Sequence, residues 1–142
     1  MCATGASSRP TVAKVTVARQ NLGREGERIV ARELGRRGWR IVARNSRTSA
    51  VRGELDLVAV DGSTLVFVEV KTGRLGASAG PVSMLEMVGS RKQAKLRVLA
   101  AAWLREHRAE LPPLAGIRID VIGLRLDAAG RVASWEHVRS AC

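Results

Sequence analysis

Apolar positions first recur at helical spacing. Leu22, Gly26, Ile29, Val30 and Leu34 trace one face of a wheel, predicting an amphipathic helix over 18–37 that Gly38 stops. The period then changes to two. Residues 39–43 read as a short strand, 45–52 as an exposed polar loop, and 54–60 and 64–71 as two β-rich runs separated by Asp61-Gly62, a strong hairpin signal. A Gly-rich loop is expected over 72–81. Ser90 and Gln93 read as a capping box opening a helix to His107, with Leu96, Leu99, Ala102, Trp103 and Leu104 on its packing side. After Pro112-Pro113, a third long strand is expected over 117–124, a turn at 127–130 and a last strand over 132–138. Residues 1–17 carry no periodic pattern and read as a flexible lead-in, leaving 18–142 as one domain.

The hairpin holds the informative residues. Strict alternation puts Glu54, Asp56, Val58 and Val60 on one face of the first strand, and Leu65, Phe67, Glu69 and Lys71 on the matching face of the second. A two-residue loop at Asp61-Gly62 would set Asp56 opposite Phe67 and Glu54 opposite Glu69; a four-residue loop would set Asp56 opposite Glu69 and Glu54 opposite Lys71. Both registers gather four charges at one end of one face. The rest of the hairpin is apolar on both faces, which implies a central sheet covered on both sides.

Composition adds a partner class. The 142 residues, 46% of them hydrophobic, suffice for one core. No run approaches the roughly 20 apolar residues of a membrane helix, so a cytoplasmic protein is expected. Lys and Arg number 24 against 13 acidic residues, for a net charge of +11. The excess lies early, with 12 basic against 3 acidic residues over 1–52. Arg24, Arg28, Arg32 and Arg36 recur every four residues on the first helix, a stripe suited to tracking phosphates or simply a solvated face. Glu27 and Glu33 both fall on the apolar arc of that helix, and a salt bridge to a neighbouring arginine would explain either. Cys2 and Cys142, at the two ends, and the single His107 and His137, read as surface or edge residues, fit no zinc site.

Carboxylates opposed on a buried strand pair are destabilising and raise each other's pKa unless a cation intervenes. Asp and Glu oxygens, with a main-chain carbonyl such as that of Val70 and several waters, suit Mg2+, with Mn2+ as a substitute. Lys71 could address a water or a phosphate oxygen. These are the parts of a nuclease, in which the metal activates water and stabilises charge on phosphorus. The alternative is a buried ion-pair cluster without catalysis.

Gly53-Glu54-Leu55-Asp56-Leu57-Val58 and Val66-Phe67-Val68-Glu69-Val70-Lys71 resemble the D…ExK core of the restriction-endonuclease-like superfamily and, more closely, the bacterial YraN family of predicted endonucleases. The likeness extends through Gly26-Glu27, Arg44-Asn45, Lys92, Arg118-Ile119-Asp120-Val121-Ile122 and Trp135-Glu136-His137-Val138, over roughly 19–139. It implies an α/β, restriction-endonuclease-like core with a central mixed β-sheet flanked by α-helices. It also implies Asp56 and Glu69 as metal ligands, with Lys71 acting on the water. Related Holliday-junction resolvases place a first-helix glutamate near the metal, the position of Glu27 here, and Glu54 matches a family glutamate and is a secondary ligand candidate. Gly73 and the small loop 77–82 depart from the family pattern and bear on substrate contacts. The expected activity is metal-dependent hydrolysis of DNA, with branched substrates included by analogy with the resolvases. Phosphate contacts are expected from the arginine stripe, Arg44, Arg52 and Lys92, and a homodimer would suit the cutting of two strands. A nucleic-acid-binding protein that cleaves weakly or not at all, or a basic RNA-associated protein, would share the same basic helix.

Overall fold

The computed structural model describes residues 9–76 and 88–142. Helix α1 (Val12–Arg36) is capped by Thr11, whose hydroxyl accepts the Lys14 N–H at 3.4 Å. It therefore begins six residues before the periodic pattern. The expected lead-in is helical from Val12, its first eight residues lying outside the described ones. Apolar periodicity could not reveal this stretch because residues 12–21 are all exposed and no described residue packs on them to impose it.

Strand β1 (Arg40–Arg47) pairs antiparallel with β2 (Glu54–Asp61), which pairs antiparallel with β3 (Thr64–Arg74). A crossover through α2 (Ser90–His107) and a 3-10 turn at Arg108–Glu110 returns the chain to β4 (Gly116–Leu126), parallel to β3. Strand β5 (Val132–Val138) closes the five-stranded sheet antiparallel to β4, in the order β1-β2-β3-β4-β5. This is an α/β fold with a central mixed sheet flanked by helices, as expected.

Both sheet faces are buried. Val30 and Leu34 of α1 pack with Leu57, Val66, Val68 and Ile122, whereas Leu96, Leu99 and Trp103 of α2 pack with Leu55, Val58 and Phe67. Helix α1 comes closest to β3 where Gly26 meets Thr72, and a Cβ at residue 26 would overlap the Thr72 side chain. Only glycine fits there.

Several local expectations are corrected. Strand β1 runs on to Arg47, so the loop expected over 45–52 shrinks to 48–53. Strand β3 likewise runs on to Arg74 against β4, and residues 77–81 of the expected Gly-rich loop lie outside the described residues. The α2 N-cap is Gly89, without a side-chain cap, and Ser90 is already helical. The Gln93 amide instead donates to the Val88 carbonyl at 3.0 Å, so no capping box forms. His137 does lie on an edge strand, β5, but neither histidine is a free surface residue: a His137 ring nitrogen meets Asp120 Oδ2 at 2.8 Å, and His107 stacks on Trp103. Cys142 is half-buried against the α2-side core, held by the Ala141 N–H bond to the Ile119 carbonyl.

Candidate functional site

The hairpin closes through Gly62 and Ser63, with Asp61 opposite Thr64, Val60 opposite Leu65 and Leu57 opposite Val68. This register is the one that brings Asp56 level with Glu69. At that level the ladder gives way to a side chain: Asp56 Oδ2 accepts the Val70 N–H at 2.9 Å.

Strict alternation fails at the same place. Leu55 and Leu57, two apart, lie in opposite cores, and so the four charges do not share one face. On the paired strand the break falls at Asn45, which stands between the pairs Arg44↔Leu57 and Ser46↔Leu55 with a φ of 46°. A left-handed residue reverses the facing of the strand beyond it, and Asn tolerates that conformation better than most residues. Ser46 consequently turns to the α2 side, where its hydroxyl accepts the Trp103 indole N–H at 3.0 Å.

The charges divide between two sides. Towards α1, the Asn45 amide nitrogen, oriented by the acceptors around it, donates to Glu27 Oε2 at 2.7 Å and to Glu54 Oε1 at 3.0 Å. Glu54 also accepts from Arg47 at 3.3 Å. Glu27 and Glu33, equivalent on the helical wheel, are thereby distinguished. Glu33 pairs with Arg36 and Arg37, while Glu27 faces other carboxylates, and burial, then the Glu54 charge, raise its pKa against the lowering effect of Asn45.

Towards α2, Glu69 is 4% exposed, and its Oε1 meets Lys71 Nζ at 3.2 Å and Lys92 Nζ at 3.4 Å. Its Oε2 is buried and has no hydrogen-bond donor among the described residues. Such an oxygen is costly unless a proton or a cation reaches it. Asp56 sits between the two groups. Burial, then the Glu69 charge, push its carboxyl up to about 8, although the Val70 N–H favours the ionised form. Among the described residues, no three His, Cys, Asp or Glu side chains are drawn into a finished metal shell. Asp56, Glu69 and the Val70 carbonyl are the nearest set that could hold a cation with water completing the shell, with Glu27 and Glu54 beyond them.

The arginine stripe is only partly free. Arg28 pairs with Glu25 at 2.6 Å and Arg36 with Glu33 at 3.8 Å. With Arg32, they line a groove of about 510 Å3 between α1 and β5 that also includes Trp135. Arg44 and Arg52 are exposed, and Lys92 is turned inward to Glu69.

Sequence reasoning named two polar groups within the family resemblance without giving either a role. Asn45 gave no signal of its role, because that role depends on a backbone angle. Asp120, fully buried, accepts from Arg118 Nε at 3.0 Å and from the Ser140 N–H at 3.1 Å in addition to its His137 contact. Arg118 and Asp120 alternate with apolar residues in an otherwise buried strand, a pattern that could have marked the network.

No helix among the described residues is long and apolar enough to cross a membrane. A family model described as "Uncharacterised protein family UPF0102" matches residues 26–124. Similar chains include UPF0102 proteins of Streptomyces griseus, 43% identical over 86% of this chain and 96% of its own length, and of Beutenbergia cavernae, 46% identical over the same shares. Another from Parafrankia sp. is 47% identical, again over 86% of this chain and 96% of its own. With its matched segment spanning α1 to β4 and carrying Glu27, Glu54, Asp56, Glu69, Lys71 and Lys92, the chain belongs to the UPF0102 family, the YraN family that its motifs resemble.

Proposed function

We propose that the protein is a metal-dependent nuclease hydrolysing phosphodiester bonds of DNA. The observation that carries this reading is the buried Glu69, one oxygen without a donor among the described residues, level with an Asp56 whose carboxyl is pushed up to about 8. Repelling carboxylates kept together in a buried place fit a site built for a cation. The donors are hard oxygens, which fit Mg2+ with Mn2+ as a substitute, and Asp56, Glu69 and the Val70 carbonyl would hold it, with Glu54 or Glu27 completing or orienting the set. When bound, the ion supplies an activated water and stabilises charge on the phosphoryl group. Lys71 holds Glu69 in place through its ammonium, which can move a short way to a phosphate oxygen or to the attacking water. Lys92, from the other side of Glu69, helps to hold that carboxylate in its orientation. Asn45 fixes the spacing of Glu27 and Glu54.

A nucleic-acid-binding protein that does not cleave is the second reading, favoured by one feature. Lys71 and Lys92 already neutralise Glu69 Oε1, as a cluster without a metal would require. The deciding experiment is Mg2+- and Mn2+-dependent cleavage of linear duplex, single strand, flap and four-way junction by wild type, Asp56→Asn and Lys71→Ala. Cleavage by wild type alone, with binding kept in both variants, supports the nuclease; binding without cleavage in all three supports the second reading.

A further inference from the structure

Among the described residues, nothing packs on the first three turns of α1. Residues 12–21 are exposed, Val12 at 84% and Val17 at 54%, and contact with the body begins at Leu22. Between Arg9 and Arg24 the chain has four basic residues and no acidic one, the first carboxylate being Glu25. Neither Lys14 nor Arg19 makes an ion pair among the described residues. At about 100° per residue, Lys14, Arg19 and Arg24 stand on three different sides of the helix. Such a helix is not amphipathic in charge, and it carries cations all round.

This arrangement does not suit a protein surface or a lipid surface, each of which lies on one side of a helix. It suits a surrounding with negative charge on both flanks. The major groove of B-DNA is about 12 Å wide, has phosphates along both walls, and admits an α-helix, whose diameter with side chains is about 10–12 Å. The side chains between Lys14 and Arg19 are small, Val15, Thr16, Val17 and Ala18, and those between Arg19 and Arg24 are Gln20, Asn21, Leu22 and Gly23. The first turn holds Lys14 and no acidic residue, so its charge adds to the positive end of the helix dipole instead of offsetting it. An anion at that end relieves both.

We infer that 12–24 is a DNA-binding arm which seats in the major groove of a duplex, with Lys14, Arg19 and Arg24 on its phosphates. This rests on the nucleic-acid reading of the protein and names the substrate class as duplex DNA. The arm leaves the body within about two turns of Glu27, so a duplex held by it lies beside the carboxylate site. A-form RNA is excluded by its narrow, deep major groove.

The test is binding of a labelled DNA duplex in EDTA across a salt series, comparing wild type with Lys14→Gln/Arg19→Gln. Glutamine keeps the helix, and circular dichroism checks it. Each lost phosphate contact lowers the slope of log affinity against log salt by about 0.9, so the double variant is expected to lose about 1.8. A duplex carrying bulky groups at cytosine C5, which fill the major groove, is expected to bind wild type no better than the variant. An unchanged slope, an equal loss of slope on an RNA duplex, or loss of binding to anionic phospholipid vesicles with DNA binding unaffected would each overturn the arm. Because no metal is present, the assay is separate from cleavage. A slope loss in a protein that cleaves nothing keeps the arm and removes the nuclease, and cleavage with an unchanged slope does the reverse.

Discussion

At Asp56 the chemistry can be read as a pH dependence. In the metal-free protein its carboxyl holds a proton up to about 8, whereas in the unfolded chain it loses that proton near the ordinary aspartate range. Across that window the unfolded state binds fewer protons, so stability falls as the pH rises. We expect the melting temperature of the EDTA-treated protein to drop between about pH 5 and pH 8, Asp56→Asn to flatten the drop, and Mg2+ to restore stability most at the alkaline end. An equally steep drop in Asp56→Asn would assign the effect to another group. Gly26 offers a second test, because a methyl there would collide with Thr72. Gly26→Ala is expected to cost about 1–3 kcal/mol, and Gly26→Ala/Thr72→Ala to recover part of it in denaturant titration. Asp56, Glu69 and Lys71 were legible in the sequence because their types and spacing clash with a buried strand. Asn45 was not, since nothing in its neighbours announces a positive φ.

Among elements, the Asp120 network ties β4 to the segment after β5. Its two oxygens accept from Arg118, the Ser140 N–H and, through His137, from β5 itself. Asp120→Ala removes the buried acceptor of the Ser140 N–H and of His137 and one of the two carboxylates on Arg118, Asp61 still meeting its guanidinium at 3.2 Å, and is expected to destabilise by about 1–3 kcal/mol in urea, with far less effect on DNA binding. A loss under about 1 kcal/mol would show that the network is replaceable. The order of helices and strands was legible because each buried element bears its own period. The start of α1 was not, because an unpacked helix carries no apolar stripe, and the α2 cap was not, because Ser90 and Gln93 have the right spacing one residue too far along.

Across the whole molecule, charge is organised by what partners it. Arg28 sits against Glu25 and Arg36 shares Glu33 with Arg37, so their charge is partly offset, whereas Lys14 and Arg19 make no ion pair among the described residues. Arg28→Gln/Arg36→Gln is therefore expected to lower the salt slope of duplex binding by less than about 1, well short of the loss at Lys14 and Arg19. An equal loss would return the stripe to the binding surface. The basic first third was legible from composition, but which of its cations are free was not, because that depends on pairing within a helix turn.

The reversal at Asn45 and Asp56 has a bearing on direction. It places Glu27 and Glu54 on one side of the sheet end and Glu69 with Lys71 and Lys92 on the other, with Asp56 between. The sheet thus ends in a fixed electric field that points from the lysines towards the acids. On the proposed nuclease reading, a phosphodiester crossing that end would meet it in one sense, its anionic oxygens drawn to the lysine side, which would favour attack on one face of the phosphorus.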